Sequence, residues 1–183
     1  EASKFDVVDS TNKVVFSGEL KDNGTWETSG EKVRMGDFSA LKTPGTYRIL
    51  LNEGTASYQF EIKPAIYEEA LNAAIKSFYL QRSSMPIDEK YAGIYKRAAG
   101  HPDDKCPFHP SSGKSTGFLN SPGGWYDAGD YGKYIVNASL SVGQMLNLIE
   151  QYPDVIKDGT LNIPESGNGI GDLWDELKYE LDW

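Results

Sequence analysis

The sequence has 183 residues, of which 39% are hydrophobic and 25% charged, a composition typical of one or two globular domains rather than of a disordered chain. Its formal net charge of −9 argues against nucleic acid and against an anionic membrane surface as partners, because both need a basic binding surface. An uncharged ligand is compatible with this charge, and the 11 Tyr and 4 Trp could stack on sugar faces, although most of these rings are expected to pack in the core.

The single cysteine, Cys106, predicts that no intrachain disulfide forms. No apolar run reaches the roughly 20 residues that a membrane-spanning helix needs. No signal peptide is recognised at Glu1, and because a secreted protein would have lost its signal, this does not decide the location.

Residues 4–62 have the pattern of short β-strands, in which runs rich in β-branched and aromatic residues are separated by turn signals. The predicted strands are Phe5–Val8, Lys13–Phe16, Thr46–Leu51 and Ser57–Ile62. The turns are predicted at residues 22–24, 29–30, 44–45 and 52–54. About five or six strands are fewer than the roughly seven of a β-sandwich, so we expect a sandwich that lacks its first strands.

Helical periodicity begins after Lys63-Pro64, with a first helix predicted from Ile66 to Gln81. Residues 83–132 show no sustained period, and a loop of that length is usually functional. A second helix is predicted from Lys133 to Gln151. Because its apolar residues point in nearly all directions, we expect it to be buried on every side, by more protein than this sequence supplies.

A third helix is predicted to begin near Asp172, which would be its N-cap. Leu173, Leu177 and Leu181 form one apolar stripe along it. No stop signal precedes Trp183, so we expect the sequence to end inside a helix.

The segment of residues 121–134 carries two carboxylates, Asp127 and Asp130, in a Gly-rich turn just before the second predicted helix. The positive end of the helix dipole should keep both of them ionised at neutral pH. An ionised carboxylate next to water is suited to act as a general base.

Structural alternatives compete for the same pattern. On spacing alone, the commonest arrangement is Asp130 as a helix N-cap and Asp127 in a turn. An EF-hand loop starting at Asp127 would need oxygen ligands where the sequence has Gly129, Tyr131 and Ala138, so it is rejected. A phosphate-binding loop at residues 167–171 would need a Lys-Ser/Thr ending and a preceding strand, and it has neither.

Several long motifs resemble those of glycoside hydrolase family 9, and they occur in the right order. They are Phe78–Arg82, Ala99–Pro102, Gly123–Asp130, Leu161–Ile170, Asp175-Glu176 and Leu181–Trp183. This resemblance runs from about Tyr67 to Trp183. Residues 4–62, with Asp37–Leu41 and Pro44–Tyr47, resemble the immunoglobulin-like domain that precedes the catalytic domain in one subgroup of the family.

The resemblance implies that residues 1–63 form an immunoglobulin-like β-sandwich and that residues 64–183 form the first helices of an (α/α)6 barrel. It also implies hydrolysis of β-1,4-glucans with inversion, as in an endoglucanase. Such a protein would be secreted, would act on a β-glucan polysaccharide and would need the remainder of its own catalytic domain. Neither nucleic acid nor a membrane is expected as a partner.

The resemblance also assigns roles to site residues. Asp130 is expected to be the catalytic base, and Asp127 to help it hold the attacking water. Trp125 and Tyr126 are expected either to line the substrate cleft or to pack in the core. The general acid of the family is a Glu far downstream, and no glutamate before Trp183 takes its place.

Some relatives carry a structural zinc held by cysteine and histidine side chains in the long loop. Here Ser84 and Gly100 occupy the cysteine positions, and zinc needs about four ligands. His101, Cys106 and His109 would be an irregular set, so no native zinc and no other cofactor is expected.

Two glycosylation sequons occur, Asn23-Gly24-Thr25 and Asn137-Ala138-Ser139. The second lies on the helix predicted to be buried and is interpreted as chance. The competing hypothesis for the whole sequence is a non-catalytic immunoglobulin-like module that binds sugar or a partner and carries a remnant catalytic segment. The intact Asp-Ala-Gly-Asp turn favours a hydrolase. Residues 1–183 alone are expected to be inactive, because they lack the acid and most of the barrel.

Overall fold

A computed structural model describes residues 2–183, which divide into two compact units, one up to Glu68 and one from Glu69 to Trp183. The first unit is immunoglobulin-like and consists of one antiparallel five-stranded sheet in the order β3-β2-β1-β4-β5. Its strands are β1 (Lys4–Asp9), β2 (Val14–Trp26), β3 (Glu31–Gly36), β4 (Gly45–Leu51) and β5 (Phe60–Ile62).

The core of this unit forms around Phe5, Val7 and Tyr47, which are buried by alternation along β1 and β4. The ring of Phe5 covers Gly18 of β2 and Gly36 of β3, where an added Cβ would lie 2.6 and 2.8 Å from ring atoms. The sheet therefore curls closely over this ring because two strands lack side chains there.

The sequence-based prediction of a turn at residues 22–24 is wrong. β2 continues through this segment to Trp26 and pairs with β3, with a bulge between Asp22 and Thr25. Gly24 adopts φ of +76°, and its N–H donates to the carboxylate of Asp22 at 2.8 Å. These local features are those of a turn. Pairing with β3 (Glu31–Gly36), the next strand of the hairpin, which is absent from the predicted strands, keeps the segment extended.

The second unit is mainly helical. Its helices are α1 (Glu68–Gln81), α2 (Glu89–Ala92), α3 (Ile135–Gln151) and α4 (Asp172–Leu181). The long predicted loop also contains the short ribbon of β6 (Cys106–Pro107) and β7 (Phe118–Leu119) and single turns of 3-10 helix at Gly93–Tyr95 and Pro110–Ser112. The core joins α1, α3 and α4 through buried apolar side chains, among them Tyr79, Met145, Leu173 and Leu177. Within residues 2–183 no helix has both the length and the hydrophobicity needed to cross a bilayer.

Burial of α3 on every side was predicted to need more protein than this sequence supplies, and it stays a prediction. Val142 and Met145 face the core, whereas Ile135, Val136 and Leu140 are 65%, 79% and 65% exposed. An apolar helix face of this kind marks a surface that another piece of protein covers.

The predicted N-cap of α4 is also wrong, because Gly171 occupies the cap position and Asp172 is the first helical residue. The side chain of Asp172 is fully buried. Its carboxylate accepts hydrogen bonds from the N–H groups of Gly159 and Leu161, at 3.0 and 2.6 Å, and from Oγ of Ser166 at 3.0 Å. Asp172 thus fixes the loop before the helix rather than the helix end.

Candidate active site

Asp127 and Asp130 lie on one tight, exposed turn. The N–H of Asp127 donates to the carbonyl of Gly132 at 2.8 Å, and the N–H of Tyr131 donates to the carbonyl of Ala128 at 3.0 Å. Tyr131 adopts φ of +58°, a left-handed conformation that non-glycine residues rarely occupy. The turn therefore presents two carboxylates to solvent from a closed loop of backbone.

Asp130 is held by two hydrogen-bond donors. Its Oδ1 accepts from the N–H of Gly132, and its Oδ2 from the hydroxyl of Tyr134, both at 3.1 Å. The N–H of Gly132 and then the Tyr134 hydroxyl hold the pKa of Asp130 below its usual value, because both stabilise the ionised form. The same contact raises the pKa of Tyr134.

The N-cap alternative for Asp130 is wrong. α3 begins at Ile135, its cap position is Tyr134, and no side chain caps it. The hydrogen bonds within the turn, rather than the helix dipole, therefore stabilise the charge of Asp130, because the dipole effect falls off within the first helical turn.

Asp127 faces α3. Its Oδ1 accepts a hydrogen bond from Nδ2 of Asn137 at 2.7 Å. Both residues line a cavity of about 150 Å³ between α1 and α3, which is also lined by Ser77, Gln81, Trp125, Tyr126, Tyr134 and Ser141. Asn137 is exposed within residues 2–183 and bonded to Asp127, and the interpretation of its sequon as chance stays a prediction.

Lys133 anchors the Gly-rich segment. Its Nζ donates to the carbonyls of Ser121 and Gly123 at 2.8 and 2.9 Å and lies 2.7 Å from the carboxylate of Asp103. Its side chain is only 9% exposed, so the ammonium is committed to these partners. Lys133 therefore ties the start of the turn to the long loop.

Gly124 needs to be glycine for two reasons. It adopts φ of +75°, and an added Cβ would lie 2.8 Å from the ring of Trp183. The turn and the end of α4 therefore approach each other more closely than side chains would allow.

Trp125 and Tyr126 are both 6% exposed. The N–H of Trp125 donates to the carboxylate of Glu180 at 2.7 Å, and its ring centroid lies 4.7 Å from that of Phe78. The two residues pack in the core and also line the cavity beside Asp127. Their role in substrate binding stays a prediction.

Three rings support the turn from the side of the long loop. His101 stacks on Tyr131 with ring centroids 4.9 Å apart, and Tyr126 meets both rings edge-on, at 5.4 and 5.2 Å. Nδ1 of His101 lies 2.8 Å from the hydroxyl of Tyr126. The rings of His101 and Tyr126 thus pack against Tyr131, the residue with positive φ next to Asp130.

Ser84, Gly100 and His101, which include the two positions predicted to replace zinc-binding cysteines, form a hydrogen-bonded corner. The N–H of Ser84 donates to the carbonyl of Gly100 at 3.2 Å, and Oγ of Ser84 donates to the carbonyl of His101 at 2.9 Å. A hydroxyl and a glycine cannot supply the thiolates of a cysteine-histidine site, and the Nδ1 of His101 is already bonded to Tyr126. Within residues 2–183, no group of three or more His, Cys, Asp or Glu is placed to hold a metal. Ser84 and Gly100 supply no thiolate, and the absence of a structural zinc stays a prediction.

A second group of carboxylates is buried around Arg82. Nε and Nη2 of Arg82 donate to both oxygens of Glu176 at 3.2 and 2.8 Å, and Nη1 donates to Glu165 at 2.9 Å. The side chains of Arg82 and Glu176 are fully buried, and the guanidinium lies 4.4 Å from the ring centroid of Tyr179. Burial raises the pKa of Glu176 to about 7, against the opposing effect of the Arg82 charge. This buried ion-pair cluster, Arg82, Glu165 and Glu176, joins the residue after α1 to α4 and to the loop before α4, which lie 83 to 94 residues further along the chain.

The residues that the sequence did not reveal are Tyr134 and Asn137. They are three residues apart at the start of α3, a spacing that places two side chains on one face of a helix. Tyr134 bonds Asp130 and Asn137 bonds Asp127, so this spacing is the feature of the sequence that could have identified both partners.

The chain thus combines a five-stranded sheet with a helical unit that carries a Gly-rich turn with two carboxylates, and the family models that match these two regions are those of a glycoside hydrolase. The chain belongs to glycoside hydrolase family 9. The model of glycosyl hydrolase family 9 matches residues 67–183, and that of the cellulase N-terminal ig-like domain matches residues 1–56. The family resemblance and the fold class expected from the sequence are confirmed.

Its relatives include endoglucanases. The xyloglucan-specific endo-beta-1,4-glucanase BoGH9A of Bacteroides ovatus is 41% identical over an alignment of 193 residues, gaps included. The alignment covers 93% of this chain and 32% of that protein. Endoglucanase D of Acetivibrio thermocellus is 37% identical over 185 residues, covering 99% of this chain and 29% of that protein. The solved structure of Bacteroides ovatus GH9 matches with a TM-score of 0.87 at 39% identity, covering 100% of this chain and 34% of that one. The chain thus spans about a third of the length of these relatives.

Proposed function

We propose that this chain is the N-terminal part of a secreted endo-β-1,4-glucanase that hydrolyses its substrate with inversion. The observation that carries the proposal is the exposed turn on which Asp130 and Asp127 are held by separate donors from Gly132, Tyr134 and Asn137. A carboxylate that is exposed, oriented and stabilised in its ionised form is what a general base requires. β-1,4-Glucans are the proposed substrate class, since the relatives are named as endoglucanases.

In the proposed reaction, Asp130 removes a proton from a water molecule as the water oxygen attacks the anomeric carbon. Asp127 accepts a hydrogen bond from the same water and so orients it. A carboxylic acid protonates the leaving glycosidic oxygen, and the acid and base stand roughly 6.5–9.5 Å apart to leave room for the water. We assign the acid to a glutamate of the remaining catalytic domain, because the buried Glu176 and Glu180 are bonded to Arg82 and to the backbone of Trp125.

The stereochemistry of the product tests the proposal. The complete enzyme, incubated with a soluble β-glucan, is expected to release sugars whose new reducing ends are first in the α configuration, as followed by proton NMR before mutarotation. A β-anomer would contradict inversion. An inactive complete protein that still binds glucan would instead support the competing non-catalytic module.

Residues 1–183 alone are expected to release no reducing ends from barley β-glucan or carboxymethylcellulose. They supply a base without an acid, and the exposed apolar face of α3 favours aggregation in isolation. Clear hydrolysis by a verified preparation of this length would show that the acid lies among these residues, and the assignment of roles would then be abandoned.

A further inference from the structure

Asn137 makes a contact whose chemistry is fixed by its partner. Its Nδ2 lies 2.7 Å from Oδ1 of Asp127. Because an ionised carboxylate accepts hydrogen bonds and donates none, the amide nitrogen rather than the amide oxygen must face it. The contact therefore sets the orientation of both side chains.

The donor to Asp127 is neutral, which distinguishes this contact from an ion pair. Lys133, the cation nearest to Asp127 in sequence, has its ammonium bonded to Asp103, Ser121 and Gly123. A neutral amide orients a carboxylate without cancelling its charge. The second oxygen of Asp127 keeps full capacity to accept a hydrogen bond from water.

Asn137 is itself held in place. It lies on the first turn of α3, and its carbonyl accepts a hydrogen bond from Oγ of Ser141 at 3.2 Å. α3 in turn packs into the core through Val142 and Met145. The backbone of Asp127 is closed onto Gly132, so the carboxylate is fixed both from its own turn and from a packed helix.

We infer that Asn137 is a positioning residue of the hydrolytic site, which directs the carboxylate of Asp127 toward the attacking water. This inference rests on the proposed function of Asp127 and Asp130. Its effect falls on kcat rather than on KM, because a misdirected carboxylate leaves the contacts with bound glucan intact and misplaces the water in the transition state.

The test uses the isosteric variant Asn137→Asp in the complete enzyme, which keeps the volume of the side chain and places a second carboxyl group against Asp127, so that the two repel each other or share a proton. Turnover of a soluble β-glucan is expected to fall at least about 10-fold, because the neutral donor is lost and Asp127 is no longer held as a free carboxylate, with KM within about twofold of the wild type. Asn23→Asp is the charge control. It adds the same charge to an exposed position of the first unit rather than of α3, so wild-type kinetics are expected.

A double-mutant cycle separates positioning from a structural role. If Asn137 acts through Asp127, Asn137→Ala lowers the turnover of the wild type but not that of the Asp127→Asn variant. Asn137→Ala also replaces Asn137→Asp should the latter fail to fold, which thermal unfolding will show. Equal losses in both backgrounds, or wild-type turnover of Asn137→Asp, overturn the inference. Wild-type turnover of Asp127→Asn overturns instead the proposed role of Asp127.

Discussion

The second unit contains two groups of carboxylates with opposite surroundings. Asp127 and Asp130 are exposed on a turn, and hydrogen-bond donors lower the pKa of Asp130. Glu176, in the buried ion-pair cluster, is fully buried, and burial raises its pKa to about 7. The larger pKa shift thus belongs to Glu176, a carboxyl group whose bonds to Arg82 tie α4 to the residue after α1.

This comparison limits a common inference. A carboxyl group with a strongly perturbed pKa is a candidate for catalysis, but buried ion pairs perturb pKa values as well. Glu176 has both oxygens bonded to Arg82 and no solvent exposure, so it offers nothing to a substrate. Solvent access and free hydrogen-bonding capacity, rather than the size of the pKa shift, are the grounds on which Asp127 and Asp130 are proposed as the site.

The largest effect on turnover is expected from neutralising Asp130. Asp130→Asn in the complete enzyme should keep the fold and lower turnover at least about 10²- to 10⁴-fold, the usual contribution of general-base catalysis, with substrate binding largely kept. Asp127→Asn should also be strongly damaging, because the water loses its orientation. Turnover on soluble β-glucan and the unfolding temperature are measured together. Near wild-type turnover of Asp130→Asn would refute its role as base.

In the buried ion-pair cluster, a substitution is expected to lower the free energy of unfolding rather than to act directly on turnover. Arg82→Ala should lower the free energy of unfolding by about 3–5 kcal/mol, because it leaves Glu176 buried without its partner. Lys96→Ala is the matched control. It breaks an ion pair with Glu89 whose side chains are 57% and 69% exposed, and such a pair contributes at most about 1 kcal/mol. Denaturant unfolding of the complete protein gives both values, and equal effects would contradict the distinction.

A smaller effect is expected from Tyr134→Phe. The variant removes a donor that stabilises ionised Asp130, so the pKa of Asp130 should rise toward its usual value. Since the base must be ionised, the acidic limb of the profile of kcat/KM against pH should move to higher pH, with little change at neutral pH.

The control for that profile is Tyr152→Phe, which changes an exposed tyrosine after the end of α3. Its profile should overlay that of the wild type. An unmoved acidic limb in Tyr134→Phe would show that the tyrosine hydroxyl does not influence the base.

No effect is expected from exhaustive chelation. We propose that the corner formed by Ser84, Gly100 and His101 stands where some relatives place zinc, and that hydrogen bonds replace the metal there. Elemental analysis of the purified complete protein should find no stoichiometric zinc, and chelation should leave the unfolding temperature unchanged. A stoichiometric zinc signal would overturn the proposal.

Local patterns predicted much of this molecule. The helices α1, α3 and α4 lie within a few residues of their predicted bounds, because apolar periodicity along each segment is a local property. β1 and β4 were predicted for the same reason. The turn with Asp127 and Asp130 was found from its glycines and its family motif, since a tight backbone needs particular residues at particular positions.

Contacts between separate segments decided the rest. β2 passes through a segment with turn chemistry because β3 pairs with it, and Asp172 turns inward because a loop eleven residues away supplies the N–H of Leu161. The partners of the two catalytic candidates followed only from the packing of α3 against the turn. The helices α1, α3 and α4, the strands β1 and β4, the family and the Gly-rich turn could all be predicted from the sequence. Tertiary structure decided which carboxylates are buried and which side chains hold the others, because burial and hydrogen-bond pairing depend on residues that local patterns do not bring together.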